Sequence, residues 1–152
     1  MLYLKTVDKT NWEACAALKP KQEQERLIAS NLYSIAESQF LSGFSSMAIY
    51  REESMVGYTL FGVDPDDQNY WIYRLMIDQQ YQGKGYGAQA VQMILNQIQG
   101  RADCTSVCLI GYHPDNGAAK RVYEKAGFTE QGLAPWGEMI AKYRFIRSEK
   151  NE

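Results

Sequence analysis

Imidazoles and thiols, the softer metal ligands and nucleophiles, are scarce in this chain. The 152 residues include one histidine, His113, and three cysteines, Cys15, Cys104 and Cys108. An odd cysteine count leaves a thiol over in any disulfide scheme, and the scatter reads as reduced cytosolic thiols packed inside. So small a ligand supply argues against a zinc site, and no metal is expected. No window carries the ~18 apolar residues of a membrane span, and the opening "MLYLKTVDKT" lacks a signal peptide's shape. Formal net charge is only −2, which leaves no basic surplus for a nucleic-acid backbone. That mild acidity suits a cationic or neutral small molecule. The reading is a cytoplasmic protein with no nucleic-acid partner and no membrane attachment. Repeats, low-complexity tracts and linkers are also missing, so residues 1–152 are read as one domain.

What is present is globular material, 45% hydrophobic and 22% charged. "LYLKTV" (2–7) alternates as a strand, and "NWEACAALK" (11–19) reads as a short helix with Asn11 as its cap. Pro20 opens a second helix over 21–40, with a stripe of Leu27/Ile28, Leu32, Ile35/Ala36 and Phe40. "SSMAIYRE" and "MVGYTLFGV" form a hairpin, and the polar turn "DPDDQN" (64–69) leads into "YWIYRLMID". Strict alternation in that strand puts Tyr70, Ile72 and Met76 on one face and Trp71, Tyr73, Leu75 and Ile77 on the other. Apolar on both sides, it is central to its sheet. A helix follows with Ala90/Val91, Ile94/Leu95 and Ile98 inward, then the strand "CTSVCLIGY" (104–112). Strand–helix–strand implies a parallel pair with a crossover. "NGAAKRVYEKAGF" (116–128) is a helix capped by Asn116 and stopped by Gly127, and "GEMIAKYRFI" is a final strand. The order β-α-α-β-β-β-α-β-α-β describes a mixed α/β or α+β fold.

Between the central strand and its helix stands "QGKGYG", with glycine at 83, 85 and 87. Glycine admits positive φ and lets another molecule lie against the backbone. A helix N-terminus beyond it offers unpaired amides and a favourable dipole for an anion. The stretch reads as a cradle for a diphosphate, with Lys84 adding a cation. Three readings compete. A plain connector needs fewer glycines. A dinucleotide site matches G-x-G-x-x-G/A, but wants an acid at the end of the next strand, about 20 residues on. Asp103 instead stands at that strand's start, and the strand ends in "LIGYHP".

The third reading takes the loop with its surroundings. "QYQGKGYG" fits Q/R-x-x-G-x-G/A, and "NGAAKRVYEKAGF" fits N-x-x-A-x-x-x-Y-x-x-x-G-F. In both, the chain resembles the GCN5-related N-acetyltransferase (GNAT) superfamily. The resemblance covers the element order of essentially the whole chain. It implies a GNAT fold with a mixed sheet of about six to seven strands and about four helices. It implies acetyl-CoA as cofactor, its pyrophosphate on Gln82, Gly83, Lys84, Gly85, Tyr86 and Gly87. The backbone of Leu75, Met76 and Ile77 would then meet the pantetheine and thioester, where a fixed N–H stabilises developing oxyanion charge. Asn116 is either a cap alone or also a cofactor contact. Tyr123, by position a core aromatic, becomes by resemblance the acid that protonates the departing thiolate. Acetyl transfer is then direct, in a ternary complex, without a cysteine nucleophile. A homodimer is common among the relatives.

The acceptor is a primary amine, protonated at neutral pH, so a base is needed. Glu37, Asp64, Asp66 and Asp67 are candidates by location, each equally a solvated surface group. Trp71 and Tyr73 line either an amine pocket or the core. Arg74, expected on the opposite face, reaches for a carboxylate. "KPKQEQERLIASNLYSIAES" with "WIYRLMID" is similar to bacterial spermine/spermidine acetyltransferases. That similarity points to a polyamine or diamine. A protein N-terminus, an amine antibiotic, or a noncatalytic acyl-CoA-binding role stand as alternatives.

Overall fold

Strand-forming runs pair in chain order as far as the fourth, and the two hairpin turns account for most of it. In the computed structural model, which describes residues 1–146, β1 (Leu2–Thr6), β2 (Ser45–Arg51), β3 (Ser54–Val63) and β4 (Tyr70–Ile77) lie side by side and antiparallel. The helix α3 (Tyr86–Gln99) crosses over to β5 (Val107–Tyr112), which is parallel to β4. Beyond β5 come β7 (Met139–Arg144) and then β6 (Thr129–Leu133), both antiparallel to their neighbours. The result is a seven-stranded mixed sheet, the mixed α/β architecture expected. β6 was not expected as a strand. Its sequence, "TEQGL", is polar and mostly exposed, so no alternation marks it.

Two layers of helix cover the sheet. On one face α3 buries Ala90, Val91, Ile94, Leu95 and Ile98, and each large aliphatic among them contributes about 1.5–3 kcal/mol. They pack on Phe61, Tyr70, Ile72, Cys108 and Ile110, joined by Tyr123 from α4 (Gly117–Ala126). The other face carries α1 (Trp12–Ala17) and α2 (Asn31–Ser38), packed on Ala48, Tyr58, Leu60 and Met76.

The long second helix expected over 21–40 is two pieces. A 3-10 turn, Gln22–Leu27, ends at an extended Ile28, and Ser30 then caps α2 by accepting from Tyr33 N at 3.0 Å. The extended break and the fresh cap interrupt the helical period, so the single stripe fails. Ile28 and Ile35 pack inward, whereas Leu32 and Phe40 are 54% and 88% exposed. Asn31 is buried instead, donating to the Cys15 carbonyl at 2.9 Å. Asn11 also departs from expectation. Its carboxamide bonds Asp8 N and Thr6 O rather than capping α1.

β4 holds the decisive irregularity. Leu60 pairs with Arg74 and Phe61 with Ile72, so Tyr73 is an extra residue in the ladder. Such a bulge resets the alternation of every side chain after it. Leu75 and Ile77 therefore join Tyr70 and Ile72 on the α3 face, while Tyr73 and Met76 pack toward α1 and α2. This corrects the strict two-face reading of the strand. The bulge also ends the pairing with β5, which covers only Tyr70, Trp71 and Ile72. Beyond it the two parallel strands part, leaving a cleft in the middle of the sheet.

Candidate active site

The cleft is where the two sequence signatures meet. A cavity of about 380 Å³ is lined by Leu75, Met76 and Ile77 of β4, by Gln82, Gly83, Gly85, Tyr86 and Gly87 of the loop, and by Asn116 and Tyr123. These come from positions nearly fifty residues apart in the chain. Gly83 and Gly85 have φ of +81° and +83°, and a Cβ on either would stand in open space. A left-handed L-residue costs about 1–2 kcal/mol, so glycine there answers to the backbone as well as to access. Gly87 differs: its φ is not positive and a Cβ would make ordinary contact with Val122 at 3.4 Å. The first helical bond at this end is from Gln89 N to Gly85 O, so the amides before it lack helical acceptors.

Charge at the cavity mouth comes mainly from an unexpected source. Lys84 is exposed and outside the lining, whereas Arg121 and Lys125, one turn apart on α4, are part of it. Their i, i+4 spacing beside Ala118 and Val122 was visible in the sequence, but nothing there said which way the face would turn. Open amides, two left-handed glycines and two cations together fit a diphosphate. Gln82 lines the cavity and also braces the loop. Its amide nitrogen donates to Ile77 O and to Gln24 Oε1, both at 2.9 Å, tying the loop to β4.

A second cavity of about 250 Å³ adjoins the first, and the two share Ile28, Leu75, Met76, Asn116, Ala119 and Tyr123. Asn116 caps α4, accepting from Ala119 N at 3.1 Å. Tyr123 is 5% exposed, and among the described residues its hydroxyl has no hydrogen-bond partner. Burial drives its phenol well above the ordinary value, so the hydroxyl keeps its proton. Tyr112 is raised as well, by burial and then by Glu130, which accepts from its hydroxyl at 2.7 Å.

Of the acceptor-side candidates, Tyr73 and Arg74 line the second cavity, and Glu37 and Trp71 do not. Glu37 Oε1 accepts from Arg74 at 2.9 Å, which supplies the carboxylate partner expected for Arg74. The bulge puts Arg74 on the α2 side, however, not opposite Tyr73. Trp71 donates to Asp67 at 2.8 Å and Tyr73 to Asp64 at 2.5 Å. Burial and then Asp64 push the Tyr73 phenol up. Asp64 and Asp67 are thus occupied as turn and strand anchors, and Asp66 lies in the same exposed turn; none of the three lines either cavity. Among the described residues the one carboxylate that does is Glu138. The sequence reading passed over it by counting Glu138 into the final strand, where no motif marks it; the strand begins one residue later, at Met139.

This arrangement can hold a chain-like ligand between two parted strands, its anionic end on α3 and its reactive end beside Tyr123. Proteins built so form a recognised class. Residues 6–128 match the model of the Acetyltransferase (GNAT) family, and the chain belongs to that family, a class of acyl-transferring enzymes. Among its relatives is the spermine/spermidine N(1)-acetyltransferase of Bacillus subtilis, 27% identical over 135 residues, which are 85% of this chain and 88% of that protein. Solved structures share the fold. The aminoglycoside acetyltransferase AAC(6')-Ib in complex with coenzyme A gives a TM-score of 0.78 at 16% identity, covering 95% of each chain. The PaiA N-acetyltransferase of Thermoplasma acidophilum with coenzyme A gives 0.71 at 13%, covering 95% of this chain and 99% of that one.

Proposed function

We propose that this protein transfers the acetyl group of acetyl-CoA to a primary amine of a polyamine or diamine such as spermidine or spermine. The observation that carries this is the junction of two cavities at Tyr123, one with cations and open amides, the other with a carboxylate. The kinship with a spermine/spermidine acetyltransferase supports the choice of amine.

Acetyl-CoA supplies an acyl group activated as a thioester. Backbone amides of Gly83 to Gly87, with Arg121 and Lys125, would hold its pyrophosphate. The edge of β4 freed by the bulge, at Leu75, Met76 and Ile77, would lie along the pantetheine arm and present an N–H to the thioester oxygen, where charge grows during attack. Tyr123 gives its Oη proton to the leaving sulfur. Burial raises the proton affinity of this phenol, so it stays protonated until a thiolate forms beside it and can then act as the acid.

An amine panel with acetyl-CoA, scored by thiol release, tests the reading. Turnover with spermidine or spermine is expected to exceed that with an aminoglycoside or a peptide N-terminus. No turnover with any amine, together with tight acetyl-CoA binding, would make the protein a noncatalytic acyl-CoA binder.

A further inference from the structure

The acceptor's proton needs somewhere to go, and the carboxylates named from the sequence are engaged elsewhere or, like Asp66, lie in the exposed turn away from both cavities. Glu37 is bound to Arg74, and Asp64 and Asp67 anchor Tyr73 and Trp71. Glu138 reaches the second cavity from the connection between β6 and β7, across the face of β5. It can do so because residue 111 is glycine: a Cβ there would stand 2.8 Å from Glu138 Oε1. The space of that missing side chain is thus filled by a carboxylate from the connection leading into β7. Trp136 Nε1 donates to the same oxygen at 2.8 Å, which fixes the carboxylate's direction and leaves its other oxygen with acceptor capacity.

We propose that Glu138 receives the acceptor's ammonium group and takes its proton before attack. This rests on the reading of the chain as an amine acetyltransferase. The groups facing the cavity with it are Arg74 and Tyr73 from β4, Tyr112 from β5 and Tyr123 from α4. Arg74 is the one cation among them and is compensated by Glu37, so Glu138 is the uncompensated charge available to a cation. The protons balance. Glu138 removes one from the ammonium nitrogen and releases it to solvent. The freed lone pair forms the N–C bond as the C–S bond breaks. Tyr123 protonates the sulfur and is restored by the second proton leaving the nitrogen. An amide, a thiol and one solvent proton result.

The test uses Glu138→Gln, Glu138→Asp and Gly111→Ala in the full chain. The alanine Cβ displaces the carboxylate, the mobile end of a side chain, without removing its charge. Glu138→Gln is expected to lower kcat with spermidine by about 10²-fold at neutral pH. The deficit should shrink as pH rises toward about 10, where the free amine becomes abundant. Glu138→Asp should restore part of the rate, Gly111→Ala should lose part of it, and acetyl-CoA affinity should not move in any variant. Wild-type kcat and an unchanged pH profile in Glu138→Gln overturn the assignment. A second readout stands apart from turnover. Spermidine titrated into the CoA-loaded protein should bind about tenfold more weakly to Glu138→Gln, the scale of one lost charged hydrogen bond. Equal affinity overturns the assignment. A wild-type protein that acetylates no amine yet binds spermidine through Glu138 would overturn the transferase reading and the proton abstraction with it, leaving Glu138 as an ammonium-binding group alone.

Discussion

The rings of Tyr112 and Tyr123 stack with centroids 5.9 Å apart and planes 12° from parallel. Phe128 meets Tyr123 edge-on at 5.5 Å and 70°. The phenol of Tyr123 is therefore held by packing from β5 and from the end of α4, with no hydrogen bond spent on its hydroxyl among the described residues. Tyr123→Phe keeps every one of these contacts. Turnover is expected to fall by about 10²-fold or more, the scale of a lost general acid, with acetyl-CoA affinity unchanged. Steady-state kinetics beside calorimetry check both. Unaltered turnover would return Tyr123 to the core.

The ion pair of Glu37 and Arg74 holds α2 against the bulge. Its side chains are 31% and 23% exposed, and Arg74 Nε is buried without a partner. Glu37→Gln removes the compensating charge and leaves the guanidinium half-desolvated. Partial exposure reduces the penalty below that of a fully buried pair, to about 1–2 kcal/mol. Urea denaturation should show that loss at an unchanged slope. A Glu37→Gln protein as stable as wild type would mean that water already screens the pair.

How far the sequence carried these conclusions depends on what kind of signal each feature leaves. The stripe of α3 and the both-sided strand β4 are periodic and long, and they stand where expected. The glycine loop and the helix of Tyr123 carry residue types at required spacings, so their approach in space followed from the family likeness. Other features left no such signal. The bulge at Tyr73 is a tertiary event with no local motif, and it reversed the assignment of Leu75, Met76 and Ile77 to faces. Ser30 looked like a mid-helix serine, although it caps a new helix. Glu138 acquires its place only because Gly111, on a strand far away in sequence, lacks a side chain.

Alkali should unfold the protein through its tyrosines. Burial pushes Tyr58 up to about 12 against a partial offset from its 2.7 Å bond with Ser46. Tyr70, Tyr73, Tyr112 and Tyr123 move in the same direction. Above pH ~10 the unfolded chain releases phenolic protons that the folded chain retains, so stability declines with each further step in pH. Below that pH the contribution is intact. Each unit of upward shift is worth about 1.4 kcal/mol once fully expressed. Tyrosinate absorbance and circular dichroism should therefore change together between pH 10 and about 12. Full tyrosine ionisation with the native spectrum preserved would contradict the burial argument.

The account stands on main-chain nitrogens at the start of α3, and calorimetry with acetyl-CoA addresses them directly. Wild-type protein is expected to give saturable one-site heat. Gly85→Val, whose branched side chain must adopt φ near +83° and project over those nitrogens, should fold with a modest loss of stability and give none. Acetyl-CoA binding of equal strength in both proteins, or no heat with the wild type, would contradict it.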